Sequence, residues 1–324
     1  VFKVTILGFD QAYASAITGV LDIFGLAGIT WQRMQGQPIK PLFDVQIASI
    51  GGRNVKCINQ LELNAHVAIE SVSKTDLLLI PTIGGDPLEV LKNNVALLPH
   101  IRHHYALGAD IASNCSGAFL LAQAGILDKR MATTHWGYAE LFGKLYPQVN
   151  LMIDRLITEQ DNIFCSGGGM AWFDLALLLI ERYAGHDIAT TTAKAHVIDL
   201  SRGEQSAYAS LRTKKYHQDA EILTVQQWLE ENYAQKVFIE SLAATVNLTQ
   251  RTFVRRFKRA TDQSPLSYLQ GVRVEAAKKH LESATHSVER IVSLVGYDDL
   301  SSFTRLFKKH TGLSPSQYGK KFSR

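Results

Sequence analysis

The chain has 324 residues, 46% hydrophobic and 20% charged, with 34 Lys and Arg against 30 Asp and Glu. That length exceeds one ordinary core and sets an expectation of two domains, and the composition is that of a soluble globular protein. The longest apolar stretch, around Leu175 to Ile180, is far too short to span a bilayer, and no secretory signal pattern follows Val1, so a cytoplasmic address is expected.

The net charge of +4 is unevenly divided. Residues 217–324 hold 16 Lys and Arg against 11 acids, whereas residues 1–216 hold 18 against 19. The positive excess therefore sits in the last third, where it fits a nucleic-acid partner and a solvated basic face equally well. Three cysteines, Cys57, Cys115 and Cys165, lack framework spacing and read as reduced thiols.

From the N-terminus, strand and helix patterns alternate. Val4 to Gly8 reads as a short buried strand, followed by a helical pattern from about Ser15 to Leu26. Phe43 to Ala48 alternates at the strand period, and Leu77 to Ile80 is a continuous apolar run stopped by Pro81. Gly84-Gly85 marks a tight loop, and one helix is expected from about Pro87 to Tyr105. Then come a strand at Ala109 to Ser113, a helix from Ser116 to Ala124, and a strand at Asn162 to Cys165 that leads through Ser166-Gly167-Gly168-Gly169 into a helix ending near Tyr183. Such alternation argues for a mostly parallel sheet covered on both faces. After a last helical pattern to about Leu200, the polar stretch 201–218 reads as a linker, dividing a domain at 1–200 from one at 219–324.

Beyond the linker the periodicity is helical throughout, and the segment contains a duplication. Phe253-Val254-Arg255-Arg256-Phe257-Lys258 is echoed fifty positions on by Phe303-Thr304-Arg305-Leu306-Phe307-Lys308. The echo continues in Thr261 and Thr311, Ser264-Pro265 and Ser314-Pro315, and Tyr268 and Tyr318. Each copy has helix-turn-helix grammar. An apolar stripe (Ile239, Leu242, Ala243, Val246; Val288, Ile291, Val292, Val295) meets a turn at Asn247-Leu248 or Gly296-Tyr297, and Thr249 or Asp299 can cap the next helix. At 100° per residue, Phe253 and Phe257 share the inward face and Arg251, Val254, Arg255 and Lys258 the outward one. In the second copy Phe303 and Phe307 point inward, and Ser301, Thr304, Arg305 and Lys308 outward. A helix presenting Arg and short polar residues suits the DNA major groove, where Arg pairs bidentately with guanine.

On these residues, the segment from about Ile222 to Phe322 resembles the DNA-binding domain of AraC/XylS-type regulators, with Arg273 and Ala276-Ala277 matching its connecting helix. The resemblance implies an all-α domain of seven helices. In it a long central helix holds two reading heads over successive major-groove segments. It places base-reading positions on Arg251, Val254 and Arg255, then on Ser301, Ser302 and Arg305. Val254 departs from the polar residue of that pattern and suits a thymine methyl instead.

In the first part, Cys115 falls between a strand and a helix, the position of a nucleophile elbow, with His135 twenty residues on and Gly84-Gly85 available as oxyanion donors. The runs Cys115 to Phe119, Ala124 to Asp128 and Ala132 to Trp136 resemble the DJ-1/PfpI branch of class I glutamine amidotransferase-like domains. Ser166-Gly167-Gly168, Asp174 and the tail Arg202-Gly203-Glu204-Gln205 support the likeness. More narrowly, the runs resemble GlxA-type regulators, which join such a domain to an AraC-type one. The implied fold is an α/β flavodoxin-like sandwich. The acidic position of that pattern is Ala16 here, and Asp10 is out of register.

A cysteine and histidine without their acid argue for a vestigial elbow rather than turnover. The expected ligand edge comprises Asp10, Thr82, Gly84, Gly85, Cys115, Ser116, His135 and Trp136. The expected partners are double-stranded DNA, a small nitrogen-bearing effector, a second copy of the chain through the first domain, and RNA polymerase if it activates. No cofactor or metal is expected, and His100, His103 and His104 read as a solvated helix end. Two alternatives stay open: a cysteine-dependent amidase or deglycase tethered to DNA, and a constitutive DNA binder whose first domain only dimerises.

Overall fold

The computed structural model describes residues 1–199, 205–208, 217 and 219–323. The chain divides into two units, Val1–Gln205 and Ser206–Arg324. Most of the expected linker, and Arg202, Gly203 and Glu204 of the tail, lie outside the described residues.

The strands of the first unit are β1 (Phe2–Leu7), β2 (Phe43–Ser49), β3 (Val55–Lys56), β4 (Glu62–Leu63), β5 (Val67–Ala68) and β6 (Leu77–Ile80). They continue with β7 (Asp110–Asn114), β8 (Met131–Ala132), β9 (Asn150–Leu151), β10 (Ile157–Gln160) and β11 (Ile163–Ser166). Seven of them form one sheet in the order β10-β11-β7-β6-β1-β2-β5, parallel except for the β10–β11 pair. β6 and β11 are buried at every position, as strands covered on both faces must be.

The helices that do the covering are α1 (Ala14–Leu26), α2 (Thr30–Met34), α3 (Pro87–Asn93), α4 (Leu98–Ala106), α5 (Ala118–Gln123), α6 (Ala139–Leu145), α7 (Trp172–Ala184) and α8 (His186–His196). α1 packs with α7, and α7 with α8, while α3 and α4 pack against α5. The result is the expected flavodoxin-like sandwich around one apolar core.

Three local expectations need correction. The helix expected across Pro87 to Tyr105 is two helices. The Asn94 side chain donates to the Val90 carbonyl and closes the first, and Pro99 sits in the first turn of the second, where its missing N–H costs nothing. The helix expected from Ser116 starts at Ala118, after a tight turn over Cys115–Gly117. His104 is buried, not solvated. Burial, together with the neighbouring imidazoles of His103 and His100, lowers its pKa.

The second unit has seven described helices: α9 (Ala220–Glu231), α10 (Ile239–Thr245), α11 (Gln250–Thr261), α12 (Pro265–Ser283), α13 (Val288–Leu294), α14 (Leu300–Thr311) and α15 (Pro315–Phe322). They build two small cores. One holds Leu242, Phe253, Phe257 and Tyr268; the other holds Ile291, Phe303, Phe307 and Tyr318. α12 serves both, giving Leu269 and Val272 to the first and Val274, Ala277 and Leu281 to the second. Its 19 residues make a rod of about 28 Å.

The sequence repeat is a repeat of interactions. The Tyr268 hydroxyl donates to Glu230 at 2.6 Å, and the Tyr318 hydroxyl to Glu282 at 2.7 Å. Phe257 meets Tyr268 edge-on at 5.5 Å, and Phe307 meets Tyr318 likewise at 5.5 Å. The Thr261 and Thr311 hydroxyls each donate to the carbonyl four residues back, at 2.8 Å. Each fully buried Phe stabilises its core by about 2–3 kcal/mol, so each pair fixes the roll of its helix.

Candidate functional site

The inward Phe pairs decide what α11 and α14 present outward. On α11, Arg251, Arg255 and Lys258 are exposed and Val254 is half-buried; on α14, Ser301, Ser302, Arg305 and Lys308 are exposed and Thr304 is half-buried. The burial pattern from 251 to 260 repeats from 301 to 310 at every position but one, Thr252 being half-buried where Ser302 is exposed. Both helices begin on the expected caps. Thr249 accepts the Thr252 N–H, and Asp299 accepts those of Ser301 and Ser302. The Ser302 hydroxyl first, and then the backbone N–H bonds, hold the Asp299 carboxyl below its ordinary range.

No described carboxylate forms an ion pair with Arg251, Arg255, Lys258, Arg305 or Lys308. Arg305 donates to Ser302 at 3.3 Å, within the outward face. Arg256 is different. It turns back to Asp219 and Glu221, at 2.5 and 2.9 Å, and so anchors α11 from behind. That pairing lowers the Asp219 pKa, and nothing in the repeat announces it, since position 306 is Leu.

In the first unit, Cys115 occupies the expected turn, with φ at +56°, the strained backbone of an elbow. The thiol is shut in, at 4% exposed, and its hydrogen bonds run to Ser116 and Thr82. Burial pushes its pKa up to about 11. Around it the polar groups satisfy one another. Asn114 donates to Thr82, Ser116 to the Ile83 carbonyl at 2.8 Å, and Thr134 to the Cys115 carbonyl at 2.9 Å.

Two of the groups expected to assist a nucleophile have other hydrogen-bond partners. His135 Nδ1 accepts the Gly137 N–H at 2.9 Å, and the Gly84 N–H donates to Gln11 at 2.7 Å. Ala16 is buried where the acid of the DJ-1/PfpI pattern is expected. Of the expected ligand edge, Gly84, Gly85, His135 and Trp136 are partly exposed and Asp10 exposed, above a floor of buried Thr82, Cys115 and Ser116. Among the described residues no three metal-capable side chains cluster.

Two features escaped the sequence reading. The first is a cavity of about 640 Å³ beyond the ends of β1 and β2, lined in part by Asp10, Gln11, Arg53, Lys56 and Glu62. The β3–β4 hairpin walls it and is tied to the loop after β1, Gln11 donating to the Lys56 carbonyl and Lys56 N–H to Asp10. The second is the role of Gln205, read from the sequence only as part of the tail, whose buried carboxamide donates to the Thr134 and Ile153 carbonyls at 2.9 and 2.8 Å. Its oxygen accepts the Gly168 and Trp136 N–H groups at 3.2 and 3.4 Å. Gly167 makes room for it, because a Cβ there would lie 2.3 Å from Gln205 Nε2.

Both domains have counterparts among known proteins. Residues 28–182 match the DJ-1/PfpI family, and residues 242–321 match a helix-turn-helix domain. The HTH-type transcriptional regulator CdhR of Pseudomonas aeruginosa is 27% identical over 277 residues, covering 85% of this chain and 81% of that protein. The HTH-type transcriptional regulator GlxA of Rhizobium meliloti is 23% identical over 279 residues, covering 85% of each. The crystal structure of an AraC family transcriptional regulator from Pseudomonas putida is alike in fold, with a TM-score of 0.50 at 19% identity, covering 60% of this chain and 98% of that one. The protein is a transcriptional regulator. It joins a DJ-1/PfpI domain to an AraC-type helix-turn-helix domain, the composition named for its GlxA-type resemblance. No described helix is long and apolar enough to cross a membrane.

The closed elbow makes a direct prediction. With Cys115 and Cys165 both pushed up to about 11 and Cys57 also raised, the native thiols are almost wholly protonated near neutral pH. Titration of the native full chain with a chromogenic disulfide should release less than about a tenth of the signal within minutes, and the full signal of three thiols only after unfolding. Rapid labelling of native Cys115 at neutral pH would contradict this.

Proposed function

We propose that the chain binds duplex DNA sequence-specifically through α11 and α14 together, under the control of a small nitrogen-bearing metabolite held by a non-catalytic first domain. The observation that carries the DNA reading is the matched pair of faces, each with exposed Arg and Lys that form no ion pair with a described carboxylate and each anchored by its own Phe pair. Arg251, Val254 and Arg255 on one head, and Ser301, Ser302 and Arg305 on the other, contact base edges. Lys258, Thr304 and Lys308 sit at the backbone, where contacts position the protein without reading sequence.

For the first domain, what supports sensing over hydrolysis is the combination of a sealed thiol and an open polar cavity. The effector enters the cavity beside Asp10; Gly84, Gly85, His135 and Trp136, also expected at this edge, do not line it. Asp10 and Glu62 supply carboxylates for a cationic nitrogen, and the buried floor of Thr82, Cys115 and Ser116 does no chemistry. A second copy pairs through the first domain, and RNA polymerase is the further partner if the protein activates.

Two measurements test the two halves of this reading. Arg255→Ala and Arg305→Ala should each weaken specific binding by about 1–3 kcal/mol, and each should relax base preference at a different segment of the site, whereas Lys258→Ala weakens all sequences alike. Loss of preference at the same base pairs in both arginine variants would contradict two separate heads. In a thermal-shift screen of nitrogen-bearing metabolites, a compound that stabilises the full chain should also change its DNA affinity by about 5-fold or more, and both effects should be lost in Asp10→Asn. A stabilising compound that leaves DNA affinity unchanged would contradict control by the first domain.

A further inference from the structure

The two heads are alike in caps, cores and outward faces, but not in the turn before the reading helix. In the first, Val246 is followed by Asn247 and Leu248 before the cap Thr249; in the second, Val295 is followed by Gly296, Tyr297 and Asp298 before the cap Asp299. Asn247 and Gly296 take the same left-handed backbone, with φ at +53° and +81°. The second turn is therefore one residue longer, and it is occupied with something the first is not.

What occupies it is the loop that joins α9 to α10 in the first head. A Cβ on Gly296 would lie 2.4 Å from the Ala234 carbonyl oxygen, so only glycine lets the two backbones come this close. Across the same loop, Arg273 donates from Nε to the Tyr233 carbonyl and from Nη2 to the Gln235 carbonyl, each at 2.8 Å. Its guanidinium also lies 5.0 Å from the Tyr297 ring centroid, and that ring packs 5.1 Å from Phe303 on the reading helix α14. Tyr233 in turn packs against both cores. One side chain, close to the middle of α12, thus touches a loop of the first head and the turn of the second.

We propose that Arg273 is the positioning residue that sets the distance and angle between the two reading helices, and so fixes which spacing of DNA half-sites the protein accepts. The physical reason is the planar fork of the guanidinium. Two donors at a fixed angle, gripping carbonyls two residues apart while stacked on a ring, hold orientation as well as distance. α12 alone fixes the separation of the heads but resists rotation about the junction of their two cores poorly. The joint removes that freedom. Heads already aligned engage the second half-site at high effective concentration once the first is bound, and misaligned heads lose that gain.

The inference rests on the reading that both heads engage one duplex, and the test separates the two. A duplex selected from a random pool by the full wild-type chain would be compared with versions whose two contacted segments are moved by one or two base pairs, and with versions keeping only one segment. Arg273→Ala should lose about 10-fold or more on the selected duplex and show a flattened spacing profile, while binding each single-segment duplex within about 2-fold of wild type. Arg273→Lys, which keeps the charge but not the fork, should flatten the profile to a lesser extent, and it decides the matter if the alanine variant melts below the assay temperature. An unchanged spacing profile in a folded variant, or an equal loss on single-segment duplexes, would overturn the proposal. A wild-type protein indifferent to spacing would overturn the two-head reading itself, and the proposal with it.

Discussion

Each reading helix carries two duties on twelve residues, and the burial of its phenylalanine pair is what lets it perform both. Phe253 and Phe257 lock α11 at one roll angle against α12, and Phe303 and Phe307 do the same for α14. Truncating one of these rings would cost about 3–5 kcal/mol, comparable to the whole stability of a small helical unit. The outward residues are therefore fixed by the inward ones. Once both Phe pairs face a shared helix, Arg255 and Arg305 must emerge on corresponding faces, and the positive charge of the last third has one place to go. The polar additions, Tyr268 with Glu230 and Tyr318 with Glu282, fix depth more than they add energy.

The first domain keeps the backbone of an elbow around a thiol that is buried and held protonated. A positive φ at Cys115 is costly for a residue with a Cβ, and it persists because the turn is held by the Ser116, Thr134 and Asn114 hydrogen bonds around it. The same network leaves the sulfur buried. What stays open lies a short way along the sheet edge, at the ends of β1 and β2, where the strand ends of an open parallel sheet meet solvent. Gln205 seats the last residue of this domain against the loops that carry Trp136 and Gly168.

Much of this was legible in the sequence because the informative signals were periodic or duplicated. The inward and outward faces of α11 follow from residues three and four apart, and Thr249, Ser264 and Ser314 each stand one residue before a helix they cap. Pro81 and Gly84-Gly85 located the end of β6. What stayed illegible depends on single residues meeting across long separations. Nothing around Gln205 predicts that its carboxamide will reach Thr134 and Ile153, and nothing near Arg53 or Lys56 ties them to Asp10 forty-odd positions earlier. β3 and β4 are two residues each, too short to show alternation. The break at Asn94 hides inside a run that is apolar at helical spacing on both sides, and the burial of His104 follows from the packing of α4 and not from its own polarity.

The central claim is that two heads, joined by α12 and aligned across it, read one duplex on one face. Hydroxyl-radical footprinting of the full chain on a duplex it selects tests this most directly, because cleavage reports every sugar the protein covers. The account predicts two protected patches of similar size, centred about 10 base pairs apart on the same face of the helix, for each copy of the chain. A single patch per copy, or two patches on opposite faces, would contradict it.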